Sequence, residues 1–312
     1  SARDGSRALL RVVVRQVALE RQRVGRLDRG LPGERFAREA GELVPALECF
    51  GAVANGTAQM GHDAAYYHTG KSEGCAFFTA FPFGFTMGEM AAWIKHGNGQ
   101  KLWDELYAPF GIRGFQAGST GTQMFGWFRR EIRSLADLQG LKFRTPGNQG
   151  RVLQKLGVTP VSLPGGEIFP ALQSGAIDGA EWVGPYNDLA LGFYQVCRYY
   201  YSPGYHESGP ALQLTVNEQA WRSLTPELQA IVRTAADAAT TDMYAEYTAQ
   251  SGPALRTLVK KHGVIVRSLP QDVLTACGEK SNEVLNEIHA GDTSPNRIVR
   301  RIIEDFLAFR QD

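Results

Sequence analysis

Between residues 141 and 185 the spacing of apolar positions changes several times, and each change predicts an element. Residues 141–145 carry β-favouring Phe143 and Thr145 and stop at Pro146-Gly147, a pair that ends a strand and opens a turn. Val152, Leu153 and Leu156 then fall at helical spacing, with Gly157 where a helix C-cap belongs. Val158, Val161 and Leu163 mark a second strand, broken by Pro164-Gly165-Gly166. Ile168, Ala171 and Leu172 form the next helical face. Glu167 lies in that helix's first turn, where negative charge suits the dipole, and Gly175 closes it. Residues 176–183 are the third strand.

Strands alternating with short helices predict parallel pairing, because the crossover between parallel strands is usually helical. Open parallel sheets bind ligands beyond the carboxyl ends of their strands. Arg144 stands at the first such end, and Glu181 and Trp182 at the third. A solvated surface arginine is the plain alternative for Arg144. Glu181, between Ala180 and Trp182, reads as half-buried, and a half-buried acid needs a cation or hydrogen-bond donors.

Elsewhere the pattern gives a helix over 46–55 and an apolar segment ending in Ala64-Ala65-Tyr66-Tyr67. Residues 77–85 are an aromatic-rich buried turn, and 89–93 and 100–110 are helices. A strand over 112–117 runs into the Gly-rich loop Gly118-Ser119-Thr120-Gly121-Thr122-Gln123. Ser134 caps a short helix. Residues 199–207 form an aromatic strand and turn, and 212–217 another strand. Thr225 caps a long helix with Pro226 at its first position. Its apolar face runs through Ile231, Ala235, Ala238, Met243 and Tyr247, and Gly252-Pro253 should bend or break it. A strand over 264–269 and two further helices finish the chain.

At 312 residues the chain is long enough for two domains with real cores. A net charge of +1 gives no global argument for nucleic acid or an anionic membrane. No apolar run reaches the ~18 residues of a membrane span. The chain starts at Ser1 and shows no signal peptide, as a processed secreted form or a trimmed chain would. Cys49, Cys75, Cys197 and Cys277 form no CxxC pair, and buried free thiols are the preferred reading. His206 is the one histidine in a plausible site segment, and a structural role is favoured for it. The GSTG loop lacks a following Lys-Ser/Thr, so it is no P-loop, and neither GxGxxG nor GxSxG is present. The tyrosine runs 66–67 and 199–201 suit the lining of an apolar cleft with a few polar anchors.

Five ordered segments resemble one known family: GELVPALECFGAVANGTAQMGHDAAYY, STGTQMFGWFRREI, DLQGLKFRTPG, LPGGEIFPALQSGAIDGAEWVGPYND and YYYSPGYHESG. They run from about Gly41 to Gly209 and resemble the periplasmic substrate-binding proteins of TRAP transporters, in the branch that binds 2-oxo acids or lactate with a metal ion. The resemblance implies an α/β, two-domain periplasmic-binding-protein-like fold with a hinge and long C-terminal helices. Domain I would take 1–117, domain II 118–212, and 213–312 would return to domain I and the connecting helices. Arg144 matches the family's carboxylate anchor, and a guanidinium offers a carboxylate two parallel hydrogen bonds. Gln123, Glu181, the Trp182 carbonyl and Glu207 fall on the positions of the ion, a sodium or a calcium, since all are oxygen donors. Tyr66, Tyr67, Ser119, Phe169, Trp182 and Asn187 would line the ligand with Gln123 and Arg144. The implied protein is an extracytoplasmic carrier with the TRAP permease as partner. The long helix leaves a homodimer open beside packing within one chain. A metal-assisted enzyme acting on 2-oxo acids, or a ligand-sensing module, is the alternative, but no convincing nucleophile or base supports an enzyme.

Two departures stand out. Ser119 replaces the asparagine expected before Thr-Gly. Residues 1–40 do not match the family: the first 30 hold eight arginines, and the first lysine of the chain is Lys71. Arginine-rich, lysine-free text points to a shifted reading frame there, which intact mass would check.

Overall fold

The computed structural model describes residues 41–311. The expectations for 1–40, including a strand or helix over 9–19, lie outside the described residues. Nine strands are described: β1 (Met60–Asp63), β2 (Ile112–Ser119), β3 (Gly126–Phe128), β4 (Lys142–Arg144), β5 (Thr159–Val161), β6 (Gly179–Ala180), β7 (Tyr199–Ser202), β8 (Ala211–Asn217) and β9 (Ile265–Ser268). The α-helices are α1 (Cys49–Ala54), α2 (Met87–His96), α3 (Gly99–Tyr107), α4 (Gly147–Lys155), α5 (Gly165–Ser174), α6 (Pro185–Leu191), α7 (Glu218–Arg222), α8 (Pro226–His262), α9 (Gln271–Gly291) and α10 (Ile298–Gln311).

The strands form two sheets, one in each lobe of an α/β molecule. The first sheet has the order β1-β8-β2, with both outer strands antiparallel to β8. The carboxyl ends of β1 and β2 therefore share one edge. The second sheet has the order β5-β4-β6-β3-β7-β9. Its β5, β4 and β6 are parallel, as the alternating pattern predicts. β3 runs against both β6 and β7, so its amino end lies beside the carboxyl ends of β4, β6 and β7. Loops leaving both sheets thus converge between the lobes.

Packing explains the lobes. In the first, Phe78 stacks on Trp93 and Trp103 at 5.2 and 4.7 Å, and Phe306 of α10 closes on Phe85. Phe125, Phe128 and Phe143 belong to the same apolar cluster, which carries it into the second lobe. A separate cluster around Trp127, Ile168, Leu172 and Tyr200 fills the far side of that lobe. All four cysteines are free thiols, three buried and Cys49 half-buried. Burial pushes Cys49, Cys75 and Cys197 up to about 12, which suppresses the reactive thiolate.

Helix α8 corrects one expectation. It starts on the Thr225 cap and remains a single 37-residue helix through Gly252-Pro253, ending at Gly263 with φ +68°. Proline removes one backbone donor, but the flanking turns keep the helix continuous. Its buried positions are Val232, Ala236, Ala239, Thr240, Met243, Ala254 and Leu258, while Ile231 is 43% exposed. The buried face lies one residue beyond the expected one over its first three turns. Small residues there let the helix approach β2, where Met243 meets Gly118.

Candidate functional site

Arg144 ends β4 with no exposure at all. Its Nη1 donates to Glu181 Oε1 at 2.6 Å and to the Glu181 carbonyl at 3.0 Å. Nε donates to the Leu163 carbonyl at 3.1 Å, and Nη2 to the Tyr67 hydroxyl at 3.2 Å. The Trp182 ring lies 4.9 Å from the guanidinium carbon. Tyr67 follows β1 of the first lobe, so this last hydrogen bond spans the cleft. Burial at the strand end replaces the solvated arginine of the plain alternative, and a carboxylate partner compensates it.

The loops are tied together by backbone. Glu181 N donates to the Arg144 carbonyl, Met124 N to Val183 O, and Gln123 N to Glu207 O, each within 3.1 Å. Gly204 N donates to the Gln123 carbonyl at 3.1 Å. A Cβ on Gly204 would collide with that carbonyl, so the approach needs glycine. A Cβ on Gly165 would likewise come to within 2.5 Å of the Trp182 ring.

What the loops bring together is rich in acceptors and poor in donors. Gln123, Glu181 and Glu207 are 5%, 0% and 4% exposed. Gln123 Oε1, Glu181 Oε2 and Glu207 Oε2 are buried, and none finds a hydrogen-bond partner among the described residues. His206 joins them. Its Nε2 lies 3.5 Å from Glu181 Oε2 without hydrogen-bond geometry, and both ring nitrogens lack partners. One ligand atom each from Glu181, His206 and Glu207 falls within 4.8 Å of the others. Burial, and then the Glu181 carboxylate, hold Glu207 well above the usual carboxylate range, with Arg144 and Tyr66 opposing. Buried oxygens without donors, two of them on acids, fit a hard cation.

The remaining predicted positions divide. Tyr66 and Tyr67 are edge to face at 4.8 Å, and Glu207 acts on both hydroxyls. Burial raises both tyrosines, so they remain neutral donors. Ser119 is fully buried, with its hydroxyl accepting from Gly121 N at 3.2 Å, so it shapes the Gly-rich loop. Asn187 is half-buried with Oδ1 lacking a partner. Phe169 packs on the apolar cluster of the second lobe, near Gly192. A hollow of about 470 Å³ is lined by Phe83, Pro203, Tyr205 and Leu274 among others, and its lining includes none of Gln123, Glu181 and Glu207.

Sequence reading passes over two buried polar residues here, Asp188 and Asn148. His206, singled out in the sequence with a structural role favoured, sets its ring beside Glu181. Asp188 on α6 accepts from Trp127 Nε1 and the Tyr200 hydroxyl through Oδ2, and from Val183 N and Gly184 N through Oδ1. It therefore fixes the segment that carries the Trp182 carbonyl. Asn148 opens α4 with a buried amide. No local signal marks either residue, because their surroundings come from distant elements.

The profile of bacterial extracellular solute-binding protein family 7, DctP, matches residues 37–292. The chain belongs to this family. It is a TRAP-transporter solute-binding protein of the periplasm, a transport carrier and not an enzyme. A Nostoc protein described as a monocarboxylate 2-oxoacid-binding periplasmic protein is 43% identical over 272 residues, 87% of this chain and 73% of its own length. A solved TRAP solute-binding protein from Bordetella bronchiseptica, with calcium and picolinate in one site of a dimer, aligns over 99% of this chain and 87% of its own. The identity is 37% and the TM-score 0.87, which confirms the two-lobed periplasmic-binding-protein-like fold. A Colwellia psychrerythraea relative with bound calcium and pyruvate is 42% identical, covering 85% and 80% of the two chains with a TM-score of 0.81. A Pseudoalteromonas atlantica relative, 40% identical with the same coverage and TM-score, holds sodium and pyruvate.

Proposed function

We propose that this carrier captures a small 2-oxo or 2-hydroxy monocarboxylate together with one sodium or calcium ion, and delivers it to a TRAP permease. The observation that carries the reading is the buried Arg144 beside three buried oxygens, on Gln123, Glu181 and Glu207, that lack donors. Gln123, Glu181, Glu207 and the Trp182 carbonyl would hold the ion, which would neutralise the acids and attract the ligand's carboxylate and 2-oxygen. Arg144 is already oriented by Glu181 and Leu163, so it meets a carboxylate with little loss of rotamer freedom. Tyr66 and Tyr67 stay neutral and offer hydroxyl donors from the first lobe. Trp182 stacks on Arg144 and excludes water from its face.

In this reading the lobes divide near residues 118 and 213, where β2 and β8 connect them, and close on the ligand. The Tyr67–Arg144 hydrogen bond belongs to the closed arrangement. Relatives that hold pyruvate with sodium or calcium support the ligand class. Calorimetry on chelator-treated protein tests it. Pyruvate should bind in the presence of sodium or calcium and weakly or not at all without them. Failure of pyruvate, longer 2-oxo acids and lactate to bind under every condition would sink the reading.

A further inference from the structure

We propose that the site also recognises a neutral oxygen just beyond the 2-oxo carbon of its ligand, through the side-chain amide of Asn148. The preferred ligand is then a 2-oxo acid hydroxylated at its third carbon. The inference rests on the 2-oxo acid reading above and names the ligand within that class.

Four observations carry it. Asn148 is 3% exposed, and its Nδ2 has no partner among the described residues. A buried amide without an acceptor is costly, so such a group marks a place where something else supplies the oxygen. Asn148 belongs to the first turn of α4, four residues after Arg144, and the N-cap Pro146 makes no side-chain cap.

Position aims this turn at the cleft. The preceding Gly147 abuts Tyr66, with room for a Cβ only 3.3 Å from the Tyr66 side chain. Arg151, three residues on and on the same helix face, reaches Glu73 of the first lobe at 3.0 Å. That face therefore looks across at the lobe that supplies Tyr66 and Tyr67. Gln149 turns elsewhere, with Nε2 donating to the Tyr205 hydroxyl at 2.8 Å. Thr145 Oγ1, just before the helix, is also buried without a partner.

Charge selects a neutral oxygen over a second carboxylate. Arg144 is the basic group acting on Tyr66, Tyr67 and Glu207, and in the reading above it is taken by the ligand's own carboxylate. Arg151 is occupied by Glu73 and Glu287.

The test compares 3-hydroxypyruvate with 2-oxobutyrate by calorimetry at fixed calcium. The two have equal numbers of heavy atoms and exchange only a hydroxyl for a methyl. Wild-type protein should prefer 3-hydroxypyruvate at least tenfold, because sites built to pair a hydroxyl reject the analogue lacking it. Asn148→Leu should abolish or reverse the preference while pyruvate affinity stays within threefold. Equal wild-type affinities, or a preference that survives Asn148→Leu, would overturn the inference. Tighter binding of 2-oxoglutarate than of 3-hydroxypyruvate would overturn the choice of a neutral oxygen. Should Asn148→Leu not fold, the wild-type pair still decides. Loss of pyruvate binding in wild-type protein would instead count against the underlying 2-oxo acid reading.

Discussion

Asp188 and Glu207 are both buried acids of the second lobe, 1% and 4% exposed, yet their surroundings are opposite. Asp188 accepts from four donors, two from backbone and two from the rings of Trp127 and Tyr200. Glu207 keeps an oxygen with no donor and faces the like charge of Glu181. A saturated buried acid holds the fold together. An unsaturated one costs stability and pays back only when a cation arrives. The distinction separates structural from ligand-facing polarity without reference to any relative.

The strongest way to break this comparison is at Arg144, which neutralises the unsaturated cluster. An expectation from strand-end placement alone is that Arg144→Ala removes carboxylate binding with little loss of stability. Complete burial changes the second half. Removing one partner of a buried ion pair leaves Glu181 uncompensated, a loss of about 3–5 kcal/mol. Chemical denaturation should show that loss along with the loss of ligand binding. Unchanged stability would mean that the cluster is more hydrated than its burial implies.

Titration sharpens the comparison next. Burial outweighs the four donors and pushes Asp188 up to about 6, above the ordinary range of an aspartate. Between roughly pH 4 and 6 the folded protein therefore keeps a proton that the unfolded chain has released. Stability should fall as pH rises through this window, with the cost fully present above it, on the order of 3 kcal/mol at most. Asp188→Asn should flatten that dependence, which denaturation curves at several pH values would reveal. At low pH the same variant should lose about 1–3 kcal/mol, because its amide turns a donor toward Trp127 and Tyr200. No loss there would remove Asp188 from the structural class.

The smallest stability effect belongs to Glu207→Gln. Without calcium or sodium, the variant should be as stable as wild type or more stable by about 1 kcal/mol, since Gln places a neutral side chain where burial and Glu181 already disfavour the charge. A destabilised variant would place Glu207 beside Asp188 as a structural acid.

How much of this was legible in the chain follows from the same contrast. Arg144, Glu181 and Trp182 could be found because strand ends are local features and ligands gather beyond them. Tyr66, Tyr67, Gln123 and Glu207 needed the family resemblance, since only folding brings the loops after β1, β2 and β7 to one edge. Asp188 and Asn148 stayed hidden because burial and pairing are set by distant residues such as Trp127 and Tyr200, whereas His206 stood out in its segment and only its place beside Glu181 needed the fold. The face of α8 was misphased for a related reason. Its small residues pack on β2 without one strong apolar stripe, so periodicity had little to read.

The central claim is that the partnerless oxygens take up a cation together with the ligand. It is tested most directly by the affinity for pyruvate across a series of calcium concentrations, in wild-type protein and in Glu207→Gln. Linkage requires that each ligand raise the affinity of the other by the same factor. The account predicts that pyruvate binding by wild-type protein tightens with calcium as for one ion per ligand, and that Glu207→Gln loses most of that dependence. Pyruvate affinity that ignores calcium in wild-type protein, with sodium also absent, would contradict it.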